Sequence, residues 1–319
     1  MSDTARDPVD VAVTDWLARY APTGPVVVGV SGGADSLALA LAVRQRAGDR
    51  AVAVTVDHGL QPGSTDRAQR TAELLRHSGF QTVLLRTVDV GAAGGPEAAA
   101  RTARLAALRS VAGECGLATP ILLAHTMDDQ AETVLLGLGR GSGPRSIAGM
   151  RAWRAPFGRP LLGVRRSDTE ASCRAAGLEF WTDPHNADPR YTRVRLRHEV
   201  LPLLEQVLGG GVTAALARTA ALIDDDLTAL DELAASLHAG LCNPAPTVAG
   251  LAPLAAALRR RVLRRWLQDN KIGELTADHY ARIDDVLILR SVPGAQVRLP
   301  GGIDLTVKNG VLQLVPVAR

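Results

Sequence analysis

The first half of the chain alternates short apolar runs, rich in valine and leucine, with longer segments in which apolar residues recur at helical spacing. The short runs predict buried strands, and the longer segments predict helices that pack on them. We expect the strands at residues 26–30, 51–57, 82–90 and 121–125. We expect the helices at residues 36–48, 64–79, 96–116 and 128–141. This alternation predicts an α/β fold with a doubly wound parallel sheet, in which ligands bind at the carboxyl ends of the strands.

The second half of the chain has a different pattern. From about residue 140 to 200 it is rich in glycine, proline and arginine. Two further helices are expected at residues 212–238 and 252–268, before an end that is rich in β-forming residues. Within that end, the Asn-Gly pair at 309–310 is typical of a hairpin turn.

Three consecutive glycines at 209–211 interrupt the helical pattern and predict a hinge. At 319 residues the chain is long enough for two domains, each with its own core. We therefore predict a larger domain at residues 1–208 and a smaller helical domain with a β-rich end at residues 209–319.

Composition narrows the class of protein. Hydrophobic residues make up 46% of the chain and charged residues 22%, as is typical of soluble globular proteins. The net charge is only +3, but Lys271 and Lys308 are the only lysines among 36 basic residues, so nearly all positive charge is on arginine, which suits phosphate. The three cysteines form no CxxC pair, which argues against a structural zinc site, an iron–sulfur cluster or a disulfide framework. Because we find no signal peptide and no apolar stretch of membrane-spanning length, we expect a cytoplasmic protein without a membrane partner.

A glycine-rich loop, GVSGGADS, follows the first predicted strand at residues 29–36. It lacks the lysine of a Walker P-loop and does not fit the GxGxxG fingerprint of dinucleotide-binding folds. The pattern instead predicts a loop that binds phosphate through backbone N–H groups at a helix N-terminus. Gly32 and Gly33 would allow close approach, and Ser31 and Ser36 would add hydroxyl donors. The alternative is an ordinary glycine-rich turn in which serine and aspartate act as caps.

Asp35 is an unusual residue for a phosphate loop. A carboxylate beside phosphate oxygens would repel them unless Mg²⁺ bridges the two. The position of Asp35 therefore predicts a catalytic residue that acts as a metal ligand, with Mg²⁺ as the metal.

The loop fits the SGGxDS signature of the PP-loop pyrophosphatase superfamily, which cleaves ATP to AMP and pyrophosphate. With it, seven further stretches that occur in order resemble the tRNA(Ile)-lysidine synthetases: VDHGLQPGS, PEAAARTARL, LAHTMDDQAET, GRGSG, AGM, RPLL and DPHNADPRYTRVRLR. The resemblance runs from about residue 26 to 200, and the arrangement is similar to that of the shorter bacterial members. The chain departs from the usual HGLR by carrying Gln61.

The resemblance implies a reaction between ATP, L-lysine and the wobble cytidine of tRNA(Ile) with a CAU anticodon. The cytidine O2 is adenylated as pyrophosphate leaves, and the lysine ε-amine then attacks C2 and expels AMP. The product, lysidine, pairs with A instead of G. Decoding thereby shifts from AUG to AUA, and charging shifts from Met to Ile.

The resemblance also implies where ATP binds. The nucleotide would contact the glycine-rich loop and the end of the second strand, although Asp57 at that end also fits an ordinary turn residue. The predicted ATP-binding residues are Ser31, Gly32, Gly33, Ala34, Asp35, Ser36 and Asp57.

Asp129 and Glu132 are three residues apart at the start of a predicted helix, so they share a face and can point at one ligand. The resemblance implies that they hold the ammonium groups of the lysine and act in catalysis, where a carboxylate could also accept the ε-ammonium proton. The alternative is acidic residues that merely stabilise a helix N-terminus, with Asp128 as a cap. One arginine should meet the lysine carboxylate, and Arg195 and Arg197 are the candidates.

Arginines beside aromatic residues suit an RNA backbone and an unstacked base. The densest basic run lies at 259–265, where interleaved apolar residues predict a core stripe that leaves the arginines facing outward. The alternative is a solvated helix face with no ligand. The predicted tRNA contacts are Arg104, Arg140, Arg145, Arg193, Arg259, Arg260 and Arg264.

Three other functions use related features. Cytidine 2-thiolation of tRNA uses the same loop but typically needs paired cysteines, which this chain lacks. An ammonia-using synthetase, such as NAD or GMP synthetase, does not fit the arginine-rich second half. A catalytically inactive binding module is disfavoured because every fixed position of the SGGxDS signature is present.

Overall fold

The computed structural model of the chain describes residues 6–59, 63–91, 95–141, 143–183 and 187–317. The departure noted at Gln61 lies outside these residues.

Within the described residues, six strands form the larger sheet. They are β1 (Val26–Gly29), β2 (Ala51–Asp57), β3 (Thr82–Thr87), β4 (Ile121–Leu122), β5 (Trp153–Arg154) and β6 (Phe157–Gly158). Their order is β3-β2-β1-β4-β6-β5. Neighbouring strands are parallel except for β5 and β6, which form a short antiparallel edge. The predicted doubly wound parallel sheet is therefore confirmed.

Helices precede, connect and follow these strands. They are α1 (Pro8–Tyr20), α2 (Ala34–Ala47), α3 (Ser64–His77), α4 (Pro96–Cys115), α5 (Met127–Arg140), α6 (Pro144–Ile147), α7 (Arg166–Ala175), α8 (Thr192–Arg195), α9 (Leu201–Val207) and α10 (Val212–Leu241). Two 3₁₀ turns, Gly48–Arg50 and Pro160–Gly163, precede β2 and α7, and a π-helical turn, Leu196–Val200, joins α8 to α9. The sequence pattern did not predict α1, α7, β5 or β6.

The fourth strand is shorter than predicted and ends at Leu122 instead of residue 125. The reason is local, because the chain after it turns to begin α5, which Thr126 caps. The backbone N–H of Leu123 still donates to the carbonyl oxygen of Gly158 at 2.9 Å, so the two segments stay adjacent beyond the strands themselves.

Both faces of the parallel sheet are covered, as expected for strands whose successive side chains point to opposite sides. Val26 and Val28 of β1 pack in a cluster with α1, α2 and α7. Val27, between them, packs in a second cluster with α4. The near-continuous apolar sequence of β1 and β2 follows from this burial on both sides.

The strand order reverses between β1 and β4. The chain moves outward from β1 through β2 to β3, and then crosses back to place β4 on the other side of β1. The segments that follow β1 and β4 therefore emerge side by side at the carboxyl edge of the sheet. This reversal is where ligands bind in open α/β sheets.

The chain divides into two compact units, Met1–Ala221 and Leu222–Arg319, and the division falls inside α10. The predicted domain boundary near residue 209 stays a prediction. Within the described residues, the second unit contains the end of α10 and the following elements: α11 (Val248–Leu251), α12 (Ala256–Asp269), α13 (Ala277–Arg282), the π-helical turn Ile283–Leu289, β7 (Gln296–Leu299), β8 (Ile303–Lys308) and β9 (Val311–Pro316). The three strands form an antiparallel sheet in the order β7-β8-β9.

The predicted hairpin turn is confirmed between β8 and β9. Asn309 and Gly310 have φ angles of 52° and 75°, and Lys308 pairs with Val311 across the turn. Positive φ at both central residues is the geometry that an Asn-Gly pair favours, because it matches the twist of the flanking strands.

The prediction that the arginines of α12 face outward is wrong for Arg259. Its side chain is 6% exposed, and its Nε lies 2.8 Å from Oδ1 of Asp284, whose other oxygen binds Arg260 at 2.8 Å. Arg261 pairs with Asp231, and Arg264 lies over the ring of Tyr280 at 5.5 Å. Arg259 and Arg260 therefore share one buried carboxylate that a later element supplies, and Arg261 and Arg264 have partners of their own in the second unit.

Asp284→Ala is expected to destabilise the second unit by about 3–5 kcal/mol, because it leaves the buried guanidinium of Arg259 without its counter-charge. The measurement is amide hydrogen exchange in α12 and β7–β9, which reports the free energy of local opening. The matched control is Asp285→Ala, since that carboxylate is 51% exposed and pairs with the exposed Arg290. Equal protection in the two variants would contradict this assignment.

Within the described residues, no single helix is long and apolar enough to cross a membrane. One bent pair, Thr192–Val207 with Val212–Leu241, meets the requirement by length and composition only.

Candidate active site

The loop after β1 has a conformation that only glycine adopts easily. Gly32 has a φ of 86°, and a Cβ atom there would lie 2.7 Å from Oγ1 of Thr71. Its carbonyl oxygen accepts a hydrogen bond from the backbone N–H of Trp181 at 3.1 Å. The loop is thus braced on one side by α3 and on the other by the segment that follows α7.

The two serines of the loop bond within the loop itself. The buried hydroxyl of Ser36 accepts from the backbone N–H of Ser31 at 3.1 Å and donates to the carbonyl oxygen of Gly33 at 2.9 Å. Gly33 precedes α2 and no side chain caps that helix. The N–H groups of the first turn of α2, from Ala34 onward, are therefore available to an anion.

Asp35 lies in the first turn of α2 and faces α7. Its Oδ2 is 3.2 Å from Nε of Arg166, and its Oδ1 accepts a hydrogen bond from the hydroxyl of Thr169 at 2.5 Å. Burial raises the pKa of Asp35 above its ordinary value, although Arg166 and Thr169 act in the opposite direction.

Thr126, and not Asp128, caps α5. Thr126 forms a capping box with Asp129, whose Oδ2 accepts from the Thr126 backbone N–H at 2.8 Å. Asp128 instead binds the start of α7, where it accepts from the Arg166 backbone N–H at 2.8 Å and pairs with Arg165 at 3.1 Å. The acidic residues at the start of α5 therefore stabilise two helices: Asp129 completes the capping box of α5, and Asp128 binds the start of α7.

Asp129 and Glu132 share one face of α5, as predicted, and Arg197 lies against both. The Nε of Arg197 is 2.7 Å from Oε1 of Glu132, and its Nη2 is 3.5 Å from Oδ1 of Asp129. The side chain of Glu132 is 0% exposed, and its Oε2 has no hydrogen-bond partner among the described residues. A buried carboxylate oxygen without a partner is costly, so this oxygen marks a place where a ligand could donate.

The two carboxylates differ in acidity. Burial acts to raise the pKa of Asp129, but the charge of Arg166 and the N–H of Thr126 outweigh it, and the pKa lies below its ordinary value. Burial raises the pKa of Glu132 above its ordinary value, against the charge of Arg197. Asp129 is therefore the more acidic carboxyl of the pair, and Glu132 is the more basic.

The structure adds Arg166 to this group, a residue that the sequence pattern did not predict. Its guanidinium contacts Asp35 through Nε and Asp129 through Nη2, the latter at 2.9 Å. Beside it lies a cavity of about 350 Å³. The cavity is lined by Asp128, Arg165, Arg166, Arg197, Leu201, Pro202, Glu205, Gly211 and Thr213.

A group of arginines lies around His125, which follows β4. Burial lowers the pKa of His125 to about 3; Asp129 opposes this shift, and the charges of Arg159, Arg101 and Arg104 reinforce it, so the imidazole is neutral. The Nε atoms of Arg104 and Arg159 are buried and find no hydrogen-bond partner among the described residues. These buried, unused donors are suited to a phosphate group.

The remaining predicted residues lie apart from this centre or have other partners. Both oxygens of Asp57 have partners, since Oδ1 accepts from the Gly59 N–H at 3.0 Å and Oδ2 accepts from the Thr65 hydroxyl at 2.7 Å. Arg195 is exposed and pairs with Glu199 four residues on, whereas Arg197 lies at the carboxylates. The side chains exposed on the surface of the first unit include those of Arg140, Arg145 and Arg193.

Two family models match the chain. The PP-loop domain matches residues 9–204, and the TilS substrate binding domain matches residues 247–308. Curated proteins named tRNA(Ile)-lysidine synthase are similar over most of their length. That of Rhodococcus erythropolis is 50% identical, with 91% of this chain and 88% of the relative covered. That of Thermobifida fusca is 51% identical, with 89% of each covered. That of Mycobacterium tuberculosis is 54% identical, with 75% of this chain and 74% of the relative covered.

Among solved structures, the U34-tRNA thiolase NcsA from Methanococcus maripaludis is similar in fold. Its TM-score is 0.54 at 18% identity, with 68% of this chain and 78% of that chain covered. At this level of identity the similarity supports the fold alone.

Proposed function

The chain belongs to the tRNA(Ile)-lysidine synthase family, and from this premise we propose that it joins L-lysine to C2 of the wobble cytidine in tRNA(Ile) with a CAU anticodon. ATP would be consumed in the reaction and released as AMP and pyrophosphate. The product, lysidine, would pair with A instead of G, so the tRNA would read AUA and be charged with Ile.

One observation carries the lysine part of this proposal. The Oε2 atom of Glu132 is buried and lacks a donor within the described residues, and Asp129 lies on the same face of α5. An ammonium group offers three donors and a positive charge, which would satisfy this oxygen and balance the second carboxylate. Arg197 would then be free to turn away from Asp129 and Glu132 and to bind the carboxylate of the lysine substrate.

The glycine-rich loop supports the ATP part. The uncapped N-terminus of α2 and the backbone of Gly32 and Gly33 would hold the pyrophosphate portion of the nucleotide. The adenine side would lie towards the end of β2, at Asp57. The phosphate nearest the reacting atoms would lie towards Arg104 and Arg159, whose buried Nε atoms are available to donate.

The residues present fit Mg²⁺. The described residues contain no cluster of three metal-binding side chains, but Mg²⁺ is ordinarily bound by one or two carboxylates together with substrate phosphates. Asp35, in the first turn of α2, would supply such a carboxylate in exchange for its contact with Arg166. When bound, Mg²⁺ would neutralise charge on the phosphates as pyrophosphate departs.

The chemistry divides between two steps. In the first, the cytidine O2 attacks the α-phosphorus of ATP, and the P–O bond to pyrophosphate breaks while the loop N–H groups hold the leaving group. In the second, the lysine ε-nitrogen attacks C2 and the bond from C2 to the AMP oxygen breaks. The nitrogen must first lose a proton, and Glu132 is the better acceptor because burial raises its pKa. Asp129 would stay anionic and position the lysine.

The tRNA would be held by arginines that face solvent in the first unit, including Arg140, Arg145 and Arg193. In the second unit, Arg259 is excluded from this role by its burial against Asp284. Arg260 keeps 49% of its side chain exposed and remains a proposed contact of that unit. Arg264, which is half-buried over Tyr280, remains a proposed contact on the sequence pattern alone.

A single incubation tests the proposal. Folded protein with ATP, labelled L-lysine and tRNA(Ile) carrying CAU is expected to incorporate lysine into the tRNA, with AMP and pyrophosphate released in equal amounts. A tRNA(Ile) carrying GAU is the matched control and is expected to incorporate none, since it lacks the wobble cytidine. Absence of incorporation into the CAU tRNA would defeat the proposal.

A further inference from the structure

One guanidinium group lies between two carboxylates that the proposed function gives to different substrates. The Nε of Arg166 is 3.2 Å from Oδ2 of Asp35, and its Nη2 is 2.9 Å from Oδ1 of Asp129. Asp35 belongs to the phosphate loop and α2, whereas Asp129 belongs to α5. A single side chain therefore connects the nucleotide side of the site to the lysine side.

The start of α7 holds Arg166 in this position. The Arg166 backbone N–H donates to Oδ2 of Asp128 at 2.8 Å, and the buried Thr169, one turn on, donates to Oδ1 of Asp35 at 2.5 Å. The side chains of Arg166 and Asp35 are each 23% exposed, and that of Asp129 is 14% exposed. An ion pair this far out of water interacts more strongly than a surface pair.

The position of Arg166 within its helix depends on these carboxylates. A cation in the first turn of a helix is disfavoured by the helix dipole. The guanidinium therefore lies here because Asp35 and Asp129 attract it. Any ligand cation that takes one of the two carboxylates competes with Arg166 for the same oxygen atoms.

We propose that Arg166 is a positioning residue that couples the two substrate sites, so that Mg²⁺-nucleotide and lysine each strengthen the binding of the other. The inference rests on the proposed function for the identity of the two ligands. We further infer that, before either ligand binds, the Arg166 guanidinium occupies the positions proposed for Mg²⁺ and for the ammonium group of the lysine.

The sign of the coupling follows from the shared side chain. One rigid planar group makes both contacts. The ligand that binds first therefore displaces the guanidinium from both carboxylates, and the free energy of this displacement lowers the affinity of that ligand. The second ligand then finds its carboxylate already released and binds more tightly. Coupling of this kind is reciprocal, and typical values correspond to about 5- to 150-fold in affinity.

Calorimetric titration of the full chain tests the inference. The affinities of L-lysine and of Mg²⁺ with α,β-methylene-ATP are measured singly and with the other ligand saturating. In the unaltered protein, the Kd for lysine is expected to fall at least about fivefold when the Mg²⁺-nucleotide is present, with the same factor in the reverse titration.

Arg166→Gln is expected to remove the coupling and to tighten the binding of each ligand alone. A merely structural arginine would give the opposite result, because its loss would weaken both ligands. Arg174→Gln is the matched control, since it removes an arginine from the other end of α7 that is 62% exposed and pairs with Glu170. This control is expected to keep the coupling of the unaltered protein.

Arg166→Lys provides a second variant should the glutamine variant fail to fold. It keeps the charge, but a single ammonium cannot form the fork that reaches both carboxylates, so the coupling is again expected to fall. Undiminished coupling in a folded Arg166 variant overturns the inference, and so does weaker binding of both ligands. If the unaltered protein binds lysine without any response to Mg²⁺-nucleotide, the inference fails while the proposed function stands. If it neither binds nor incorporates lysine, both fail.

Discussion

Replacement of Glu132 by glutamine is expected to raise the KM for lysine by about 30- to 5,000-fold, because loss of one member of a buried charge pair costs roughly 2–5 kcal/mol. Glutamine keeps the shape of the side chain but removes the negative charge that would face the ammonium group. It also removes the group proposed to accept the ε-ammonium proton, so kcat should fall as well. Steady-state kinetics with lysine varied and with ATP and tRNA saturating would measure both quantities.

A matched control separates this effect from a general loss of charge. Glu199→Gln removes a glutamate that also pairs with an arginine, but there the Glu199 side chain is 49% exposed and that of Arg195 is 61% exposed. Its KM for lysine is expected to stay within about twofold, as exposed pairs contribute little. An unchanged lysine KM in a folded Glu132→Gln variant would rule out Glu132 as a lysine ligand.

Asp35→Asn is expected to slow pyrophosphate release by about 10²- to 10³-fold, which is the size of effect seen when a group that stabilises transition-state charge is removed. Asparagine can still accept the hydrogen bond from Thr169, so the fold of α2 should persist. What it lacks is the negative charge proposed to hold Mg²⁺ beside the phosphates. The measurement is pyrophosphate release in the presence of tRNA and lysine, over a range of Mg²⁺ concentrations.

Asp49→Asn is the control for this second variant. Asp49 follows the same helix but is 78% exposed and pairs with Arg44, so its loss should leave the release rate unaltered. Lysine binding by Asp35→Asn should persist, because Asp129 and Glu132 are untouched. Pyrophosphate release at the ordinary rate in Asp35→Asn would refute the metal role of Asp35.

The local features of the fold could be predicted from the sequence. The second strand was expected at residues 51–57 and β2 occupies the same residues, Ala51–Asp57. The turn at Asn309 and Gly310 was likewise predicted. Both features depend on residues that are adjacent in the sequence. The strand is a run of apolar residues buried on both faces, and the turn requires the positive φ angles that Asn-Gly adopts.

Arg166 could not be placed from the sequence, because its partner Asp35 is 131 residues away. Its helix lies in a stretch where glycine, proline and arginine obscured the helical pattern. One signal was available: Arg165 and Arg166 adjoin at the start of α7, where cations are unfavourable unless carboxylates lie nearby. Two adjacent arginines at such a place predict acidic partners from elsewhere in the chain.

The error at Arg259 has a related cause. The apolar stripe of Val262, Leu263 and Leu267 was predicted correctly, and all three are buried. The arginine nevertheless lies at the edge of that stripe, and Asp284, 25 residues further along the chain, supplies the charge that allows it to be buried. Helical spacing identifies the face of the helix on which a residue lies. It does not identify a partner that comes from an element later in the chain.

Asp129 divides its two oxygens between two tasks. One oxygen completes the capping box that begins α5, and the other meets the guanidinium groups of Arg166 and Arg197. The carboxylate therefore cannot rotate to follow a ligand without fraying its own helix. If Asp129 binds the substrate ammonium as proposed, a shorter or longer amine would meet the same anion at the same place. This helix start would then favour one length of amine substrate over its homologues.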